Sequence, residues 1–264
     1  RDPEMSRGLG DVYKRQRMKR NMPAPLIAIC VILLGLSVGS FFFTPDRAFS
    51  ENENRYLQTT PELTADNVLS GRFMTETENY TSDQILLRDF WTGARSVLQR
   101  MEGRQDISGT YLGAEGRLFA KVTDDTFDWA NYEKNLTAVE TFFAANSGKS
   151  CTMLMAPSPA GVLGECLPKN APYYDEDKAF SLLTDKLGGT LADARTALAG
   201  VEDPYYHTDH HWTTEGARAA YGVWAAATGH TARSYALTQA TDRFRGTLYS
   251  KVLLPDSVYD TVDY

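Results

Sequence analysis

The chain has no excess of positive charge, which limits the partners it can bind. Its 264 residues include 27 Lys and Arg against 34 Asp and Glu, a formal net charge of −7 at pH 7. There is no basic stripe beyond the N-terminal residues. Because nucleic acids are held largely through Lys and Arg on their phosphates, this balance argues against a nucleic-acid partner.

Internal repeats and low-complexity tracts are also absent, and cysteine is scarce. A chain of this length, 42% hydrophobic, supports one sizeable core or one core with a small appendage. Of its three cysteines, Cys30 lies in an apolar run, whereas Cys151 and Cys166 flank a predicted strand and its following loop. Those two either pair or remain buried thiols, since spacing does not specify the geometry of a disulfide.

Charged residues are missing from Pro23 to Phe43, a run of 21 residues. As a helix this run spans about 31 Å, which is about the thickness of the hydrocarbon core of a bilayer. Basic residues precede the run and acidic residues follow it, namely Lys19 and Arg20, then Asp46, Glu51 and Glu53. We therefore expect an uncleaved signal anchor over residues 18–43, in the membrane through 23–43, and a single-pass protein of the cell membrane whose bulk is extracytoplasmic.

Residues 1–17 show neither helical nor strand periodicity and resemble translated adapter sequence, so we interpret them as a non-native leader before a natural start at Met18. A linker is expected over 44–60 and one extracytoplasmic domain over 61–264.

Hydrophobic periodicity predicts an α/β domain. Spacing over 66–101, broken at Gly71, predicts two helices, and an apolar run at 152–156 predicts a buried strand. Segment 190–198 fits either a strand or a helix. The other predicted elements are a hairpin of 110–112 with 117–120 and helices over 132–146, 177–187 and 214–227.

Three of the four histidines fall within five residues, as His207, His210 and His211, with Asp209 between them. Histidine exchanges protons near neutral pH, and a neighbouring carboxylate fixes its tautomer. Thr213 is the expected N-cap of the helix that follows, and Trp212 is expected to pack against the fold and hold the loop.

The same residue types also bind divalent metals. His207, Asp209 and His211 alternate, so an extended segment would place all three on one face. A turn into a helix would instead point His210 and His211 apart, and we therefore expect no metal and no cofactor. A third interpretation is a buried Asp-His hydrogen bond that only holds the loop.

The run from Asp209 to Ala217 resembles the signature of the DHHW family, extracytoplasmic proteins related to the alginate O-acetyltransferases of the SGNH hydrolase-like superfamily. Four further stretches agree in order, at 49–55, 111–119, 155–157 and 244–250. The resemblance implies an SGNH hydrolase-like (flavodoxin-like) sheet with flanking helices, truncated at the C-terminus and preceded by one membrane-spanning helix.

The resemblance further implies a Ser-His-Asp triad in which Asp209 orients the ring and His211 is the base. The serine of such a triad follows a Gly-Asp-Ser-like turn, which this sequence does not contain, so we expect the serine beyond the end of the chain and this fragment to be inactive. Ser257 belongs to the one Asp-Ser pair near the end, but it follows Pro255 and lacks the glycine and strand of a nucleophile elbow, whereas Ser250 and Ser158 are expected to cap or line loops. His207, His210, Tyr205 and Tyr206 are the candidate substrate-binding residues.

The implied function is transfer or removal of acetyl groups on a cell-envelope polysaccharide, with an acyl-donor protein as a further partner. The alternative is a catalytically silent envelope module that binds polysaccharide or a protein through the same cleft.

Overall fold

The computed structural model describes residues 24–264. The predicted leader at 1–17 and the first residues of the predicted anchor, 18–23, lie outside the described residues. The chain divides into two compact units: one comprises the described residues up to Ala48 together with Leu57–Arg88, and the other comprises Phe49–Tyr56 and Asp89–Tyr264.

The first unit is helical. It contains α1 (Ala24–Phe43), α2 (Ala65–Leu69) and α3 (Arg72–Gln84). An 18-residue window of the 20-residue α1 has a mean hydropathy of 2.6, and the helix is long and apolar enough to cross a membrane. Thr64 caps α2 by accepting a hydrogen bond from the amide of Asn67.

Three helices replace the two that helical spacing predicted over 66–101. The break at Gly71 is confirmed, and this residue has a φ of 78°. A second break separates α3 from α4 (Arg88–Met101), where Leu87 has a φ of 58°. Because Leu87 is apolar and fits the helical spacing, the break left no signal in the sequence.

The second unit is a mixed α/β domain. After the hairpin of β1 (Phe49–Ser50) and β2 (Arg55–Tyr56) and after α4, the elements in order are β3 (Asp106–Ile107), β4 (Thr110–Leu112), β5 (Leu118–Ala120), α5 (Trp129–Ala145), β6 (Met153–Met155), α6 (Pro159–Val162), α7 (Glu176–Leu187), β7 (Leu191–Asp193), α8 (Arg195–Ala199), α9 (Thr214–Ala227), β8 (Gln239–Phe244), α10 (Thr247–Val252) and β9 (Asp260–Asp263). Strands β3, β4 and β5 form an antiparallel sheet, β8 pairs antiparallel with β9, and β6 pairs parallel with β7.

The parallel pair carries helices on both faces, as the α/β prediction requires. Successive side chains of a strand point to opposite faces. Met153 and Met155 pack with a cluster from α5 and α7 that includes Leu136 and Leu183, whereas Leu154 packs with a cluster from α8 and α9. The strand is therefore covered on both sides.

Most predicted elements of this unit are confirmed, with shifted ends. The hairpin of β4 and β5 turns through Glu115 and Gly116, which have φ values of 58° and 76°. Helix α5 starts at Trp129 because Asp128 caps it, three residues before the predicted start at Tyr132. The segment 190–198, which fitted either a strand or a helix, contains both: strand β7 comes first and helix α8 follows it. Cys151 and Cys166 are free thiols.

Candidate active site

The histidine cluster lies on a loop that two backbone hydrogen bonds close at its base. The amide of Tyr206 donates to the carbonyl of His211 at 3.2 Å, and the amide of Thr213 donates to the carbonyl of Pro204 at 3.0 Å. Thr213 Oγ1 accepts a hydrogen bond from the amide of Gly216 at 3.1 Å, which confirms it as the N-cap of α9. The loop is thereby fixed to the start of a 14-residue helix.

Asp209 and His211 form the direct side-chain hydrogen bond that the sequence predicted. Asp209 Oδ1 lies 2.5 Å from His211 Nδ1 and accepts a second hydrogen bond from the His211 amide at 3.0 Å. The Asp209 side chain is 3% exposed and that of His211 is 69% exposed. A buried carboxylate thus holds one nitrogen of an imidazole ring that is otherwise exposed to solvent.

The first turn of α10 holds Asp209 from the other side. The amide of Thr247 donates to Asp209 Oδ2 at 2.6 Å. A Cβ on Gly246 would overlap the Asp209 side chain, so only glycine permits this approach. Gly246 and Thr247 lie in a stretch that carries the family resemblance, but nothing in their spacing indicated that they would lie beside Asp209.

Hydrogen bonds also set the ionisation of Asp209. Burial by itself raises the pKa of this carboxyl, but the amides of Thr247 and His211 and the His211 ring donate to the carboxylate and outweigh that effect. The pKa of Asp209 therefore lies below its ordinary value, and the carboxylate stays ionised at neutral pH.

A second Asp-His pair stands beside the first. Asp260 Oδ1 lies 3.0 Å from His207 Nδ1 and accepts a hydrogen bond from the His207 amide at 2.8 Å. Asp260 Oδ2 accepts hydrogen bonds from the Thr208 amide at 3.1 Å and from Thr208 Oγ1 at 2.7 Å. Burial raises the pKa of Asp260, and these hydrogen bonds more than offset it, so the net pKa is lowered. The sequence missed Asp260 because it lies more than fifty positions after His207 and no local pattern marks it.

The other predicted site residues occupy different environments. Tyr206 and His207 line a cavity of about 620 Å³ together with several carboxylates, and Tyr206 packs edge-to-face on Phe244 at 5.1 Å. His210 is half exposed, and its Nδ1 lies 3.2 Å from Thr247 Oγ1. Neither Asp209 nor His211 is among the residues lining the cavity.

The structure contradicts the prediction for Tyr205. We expected its ring to contact substrate, but it is 1% exposed and its hydroxyl donates to the carbonyl of Pro157 at 2.8 Å. The ring belongs to the core cluster of Ala194, Leu198 and Ala220, against which Trp212 packs as predicted. Since both residues stand at the base of the loop, their role is to anchor it.

The hydrogen bonds of the candidate serines go to groups other than the side chains of Asp209 and His211. Ser158 Oγ donates to Glu176 at 2.6 Å and also accepts the Gly161 amide, as the cap of α6. Ser250 Oγ donates to the carbonyl of Gly246 at 3.3 Å. The carbonyl of Ser257 accepts a hydrogen bond from Arg245, in the loop before β9.

The expectation that His210 and His211 point apart is wrong, because their rings lie 4.0 Å apart. Asp209, His210 and His211 each offer one ligand atom, and these atoms lie within 4.8 Å of one another. At 2.5 Å, however, Asp209 Oδ1 and His211 Nδ1 hydrogen-bond directly to each other, and they are closer than the roughly 3.4 Å that separates two ligands about 2.1 Å from a tetrahedral zinc ion.

We therefore still predict that the protein has no tightly bound zinc ion, so that its zinc content is well below one per chain. Elemental analysis of the purified protein tests this, with His210→Ala and His230→Ala as paired variants. About one zinc per chain that His210→Ala removes and His230→Ala retains would contradict the prediction.

The chain resembles known proteins of one family. Residues 113–256 match the model of the SGNH hydrolase-like domain, acetyltransferase AlgX. A comparison with curated proteins found no match. Similar solved structures include the O-acetyltransferase domain of Pseudomonas putida AlgJ, with 20% identity, 59% of this chain and 63% of that chain covered and a TM-score of 0.45. Bacillus cereus PatB1 with a sulfonyl adduct has 17% identity, coverage of 58% and 55%, and a TM-score of 0.47.

A DHHW family protein from Eubacterium siraeum is similar at 21% identity, with 60% of this chain and 55% of that chain covered and a TM-score of 0.47. The chain thus spans 55 to 63% of the length of these three solved structures. The family model matches more than half of the chain, including the Asp209 and His211 loop, and the resemblance drawn from the sequence is confirmed. The chain belongs to the family of SGNH hydrolase-like domains typified by the acetyltransferase AlgX.

Proposed function

We propose that the whole protein transfers acetyl groups to, or removes them from, a cell-envelope polysaccharide. Membership of the AlgX family supports the reaction class. The observation that carries the proposal is the 2.5 Å hydrogen bond between a buried carboxylate and a solvent-exposed imidazole, Asp209 and His211.

The proposed chemistry is a Ser-His-Asp mechanism. A serine Oγ attacks the acyl carbon while His211 Nε2 takes the hydroxyl proton, and Asp209 stabilises the imidazolium. Collapse of the tetrahedral intermediate forms an acyl-serine and breaks the ester C–O bond, and His211 returns the proton to the departing alcohol. A sugar hydroxyl or a water molecule then attacks the acyl-serine while His211 takes its proton, and His211 passes that proton to the released serine Oγ, which gives transfer or hydrolysis.

The serine in this proposal is one that residues 24–264 do not supply. The hydroxyl contacts of Ser158 and Ser250 support this, because these groups donate to Glu176 and to the carbonyl of Gly246 and not to His211. The proposed substrate contacts are Tyr206 and His207 in the 620 Å³ cavity and His210 beside the dyad. An acyl-donor protein is the proposed partner.

An acetyl-ester assay tests the proposal on two proteins, the purified product of the complete gene and the present chain. We expect activity in the complete product, and we expect His211→Ala to lower it by about 10³-fold or more. His230→Ala removes an exposed histidine outside the site and should leave activity unchanged. Turnover that survives His211→Ala would contradict the mechanism, and an inactive complete product would favour the silent module. Activity in the present chain that depends on His211 would place the nucleophile at Ser250 or Ser257.

We also propose that α1 is a signal anchor, with residues 44–60 as linker and 61–264 as the extracytoplasmic domain. The basic residues before the span and the acidic residues after it support this orientation. A cysteine introduced as Asn54→Cys should react with a membrane-impermeant maleimide in intact cells, above the background of the native cysteines. The matched variant Asn21→Cys should react only after lysis. The opposite pattern would contradict the orientation.

A further inference from the structure

Helix α4 presents its large apolar side chains to solvent. Phe90 is 61% exposed, Leu98 is 60% exposed and Met101 is 78% exposed. At about 100° per residue these three and Ala94 fall within an arc of about 80°, so they form one continuous stripe along the helix. We call these four residues the α4 stripe.

The face of α4 that meets the domain carries small residues. Gly93 and Ser96 are buried, and a Cβ on Gly93 would lie 2.8 Å from the carbonyl oxygen of Leu253. The helix cannot roll to bury the α4 stripe here, because Phe90 or Leu98 would then have to occupy the space that only glycine fits. Exposure of the stripe is therefore built into the packing of the helix.

Arginine borders the stripe. Two of the three Arg in helix α4 are ion-paired, Arg88 with Asp83 and Arg100 with Asp256, and the third, the exposed Arg95, lies beside Leu98 on the helical surface. Trp91, 40% exposed, lies on the same border. An apolar face of Phe, Leu and Trp flanked by Arg is the composition of helices that lie in a membrane interface. The apolar residues enter the acyl region, while Arg reaches the headgroups.

Next to the stripe is an apolar cavity of about 490 Å³. Phe90, Val97 and Leu98 line one side of it, and Tyr249, Leu253 and Pro255 line the other. The apolar surface thus extends from the helix onto the domain, which widens the area that can leave water on contact with lipid.

We propose that α4 docks on the anionic surface of the membrane that α1 spans, with the α4 stripe at the boundary of headgroups and acyl chains. The linkage of α1 to α4 in one chain favours a bilayer over a soluble partner. A tethered contact is intramolecular, so even weak lipid affinity suffices to hold it. The inference rests on the proposed span of α1.

The fluorescence of Trp91 reports whether α4 contacts lipid. The full chain is reconstituted into nanodiscs of phosphatidylcholine and phosphatidylglycerol, with or without bromine on the acyl chains. Bromine quenches tryptophan only on contact, and subtracting the spectrum of Trp91→Phe isolates Trp91 from Trp129, Trp212 and Trp224. We expect brominated lipid to quench the Trp91 emission by about half or more, and less in nanodiscs without phosphatidylglycerol.

Two neighbouring substitutions are matched in charge. Leu98→Glu puts a carboxylate on the stripe and should abolish most of the Trp91 quenching, whereas Gln99→Glu puts the same charge on the next residue, away from the stripe, and should leave more of it. Circular dichroism checks that both variants stay folded. Incorporated protein whose Trp91 is unquenched would overturn the inference alone. Failure to incorporate at all would contradict the span of α1 as well.

Discussion

Under the proposed mechanism, Asp209→Asn should lower the kcat of the complete gene product by about 10³ to 10⁴-fold with little change in KM. In the proposed mechanism the Asp209 carboxylate accepts from His211 Nδ1, so that Nε2 is the nitrogen that takes the serine proton. An asparagine side chain can donate its amide proton to Nδ1 instead and so favour the wrong tautomer. It also removes the charge that stabilises the imidazolium.

Asp260→Asn is the matched control, because it makes the same change at the other Asp-His pair. We expect it to leave kcat within about tenfold of the native value when assayed at a temperature at which the variant is folded. Steady-state kinetics on acetyl esters measures both variants. Equal losses of kcat in the two would mean that neither pair is specifically catalytic and that both act through the shape of the loop.

Asp260→Ala should destabilise the domain by about 3–5 kcal/mol. Asp260 is 6% exposed and accepts four hydrogen bonds from His207 and Thr208. Truncation leaves several of these donors buried without a partner. Thr208 Oγ1 also accepts the amide of Gly246, so the loss should extend to the turn that holds Asp209. Urea unfolding of native and variant protein gives the difference, and a change below about 1 kcal/mol would contradict this role.

The lowered pKa of Asp260 gives this effect a pH dependence. A carboxyl whose pKa is lowered by folding stabilises the fold fully above its unfolded pKa, and this contribution is lost as the pH falls through the lowered folded pKa. The stability difference between native protein and Asp260→Asn should therefore shrink from about pH 5 towards about pH 2. A difference that grows over the same range would contradict the assignment.

Local features of this fold could be predicted from sequence, and features that depend on distant residues could not. Helix α9 has the predicted bounds because a capping threonine and a clear apolar face mark it. The Asp209 and His211 pair was also predictable, since two positions in a turn fix the separation. Asp260, Gly246 and Thr247 reach the loop only through tertiary folding, so spacing could not find them.

The spacing of residues in the sequence also did not predict which side chains are buried. Tyr205 and Tyr206 are adjacent and chemically identical, yet one is core and the other lines a cavity. The β bridge between Tyr205 and Trp212 decides which ring faces inward. The same holds for α4, where apolar spacing predicted a helix but did not show that Phe90 and Leu98 are exposed while Val97 packs against the core.

The most direct test of the catalytic assignment is intact-mass spectrometry of the complete gene product, quenched during reaction with an acetyl ester in the absence of polysaccharide. The mechanism predicts the addition of one acetyl group, on a serine, at a rate that His211→Ala lowers by about 10³-fold and His230→Ala does not change. An acetyl-serine that forms equally fast without His211, or turnover with no acetyl group on any serine, would contradict it.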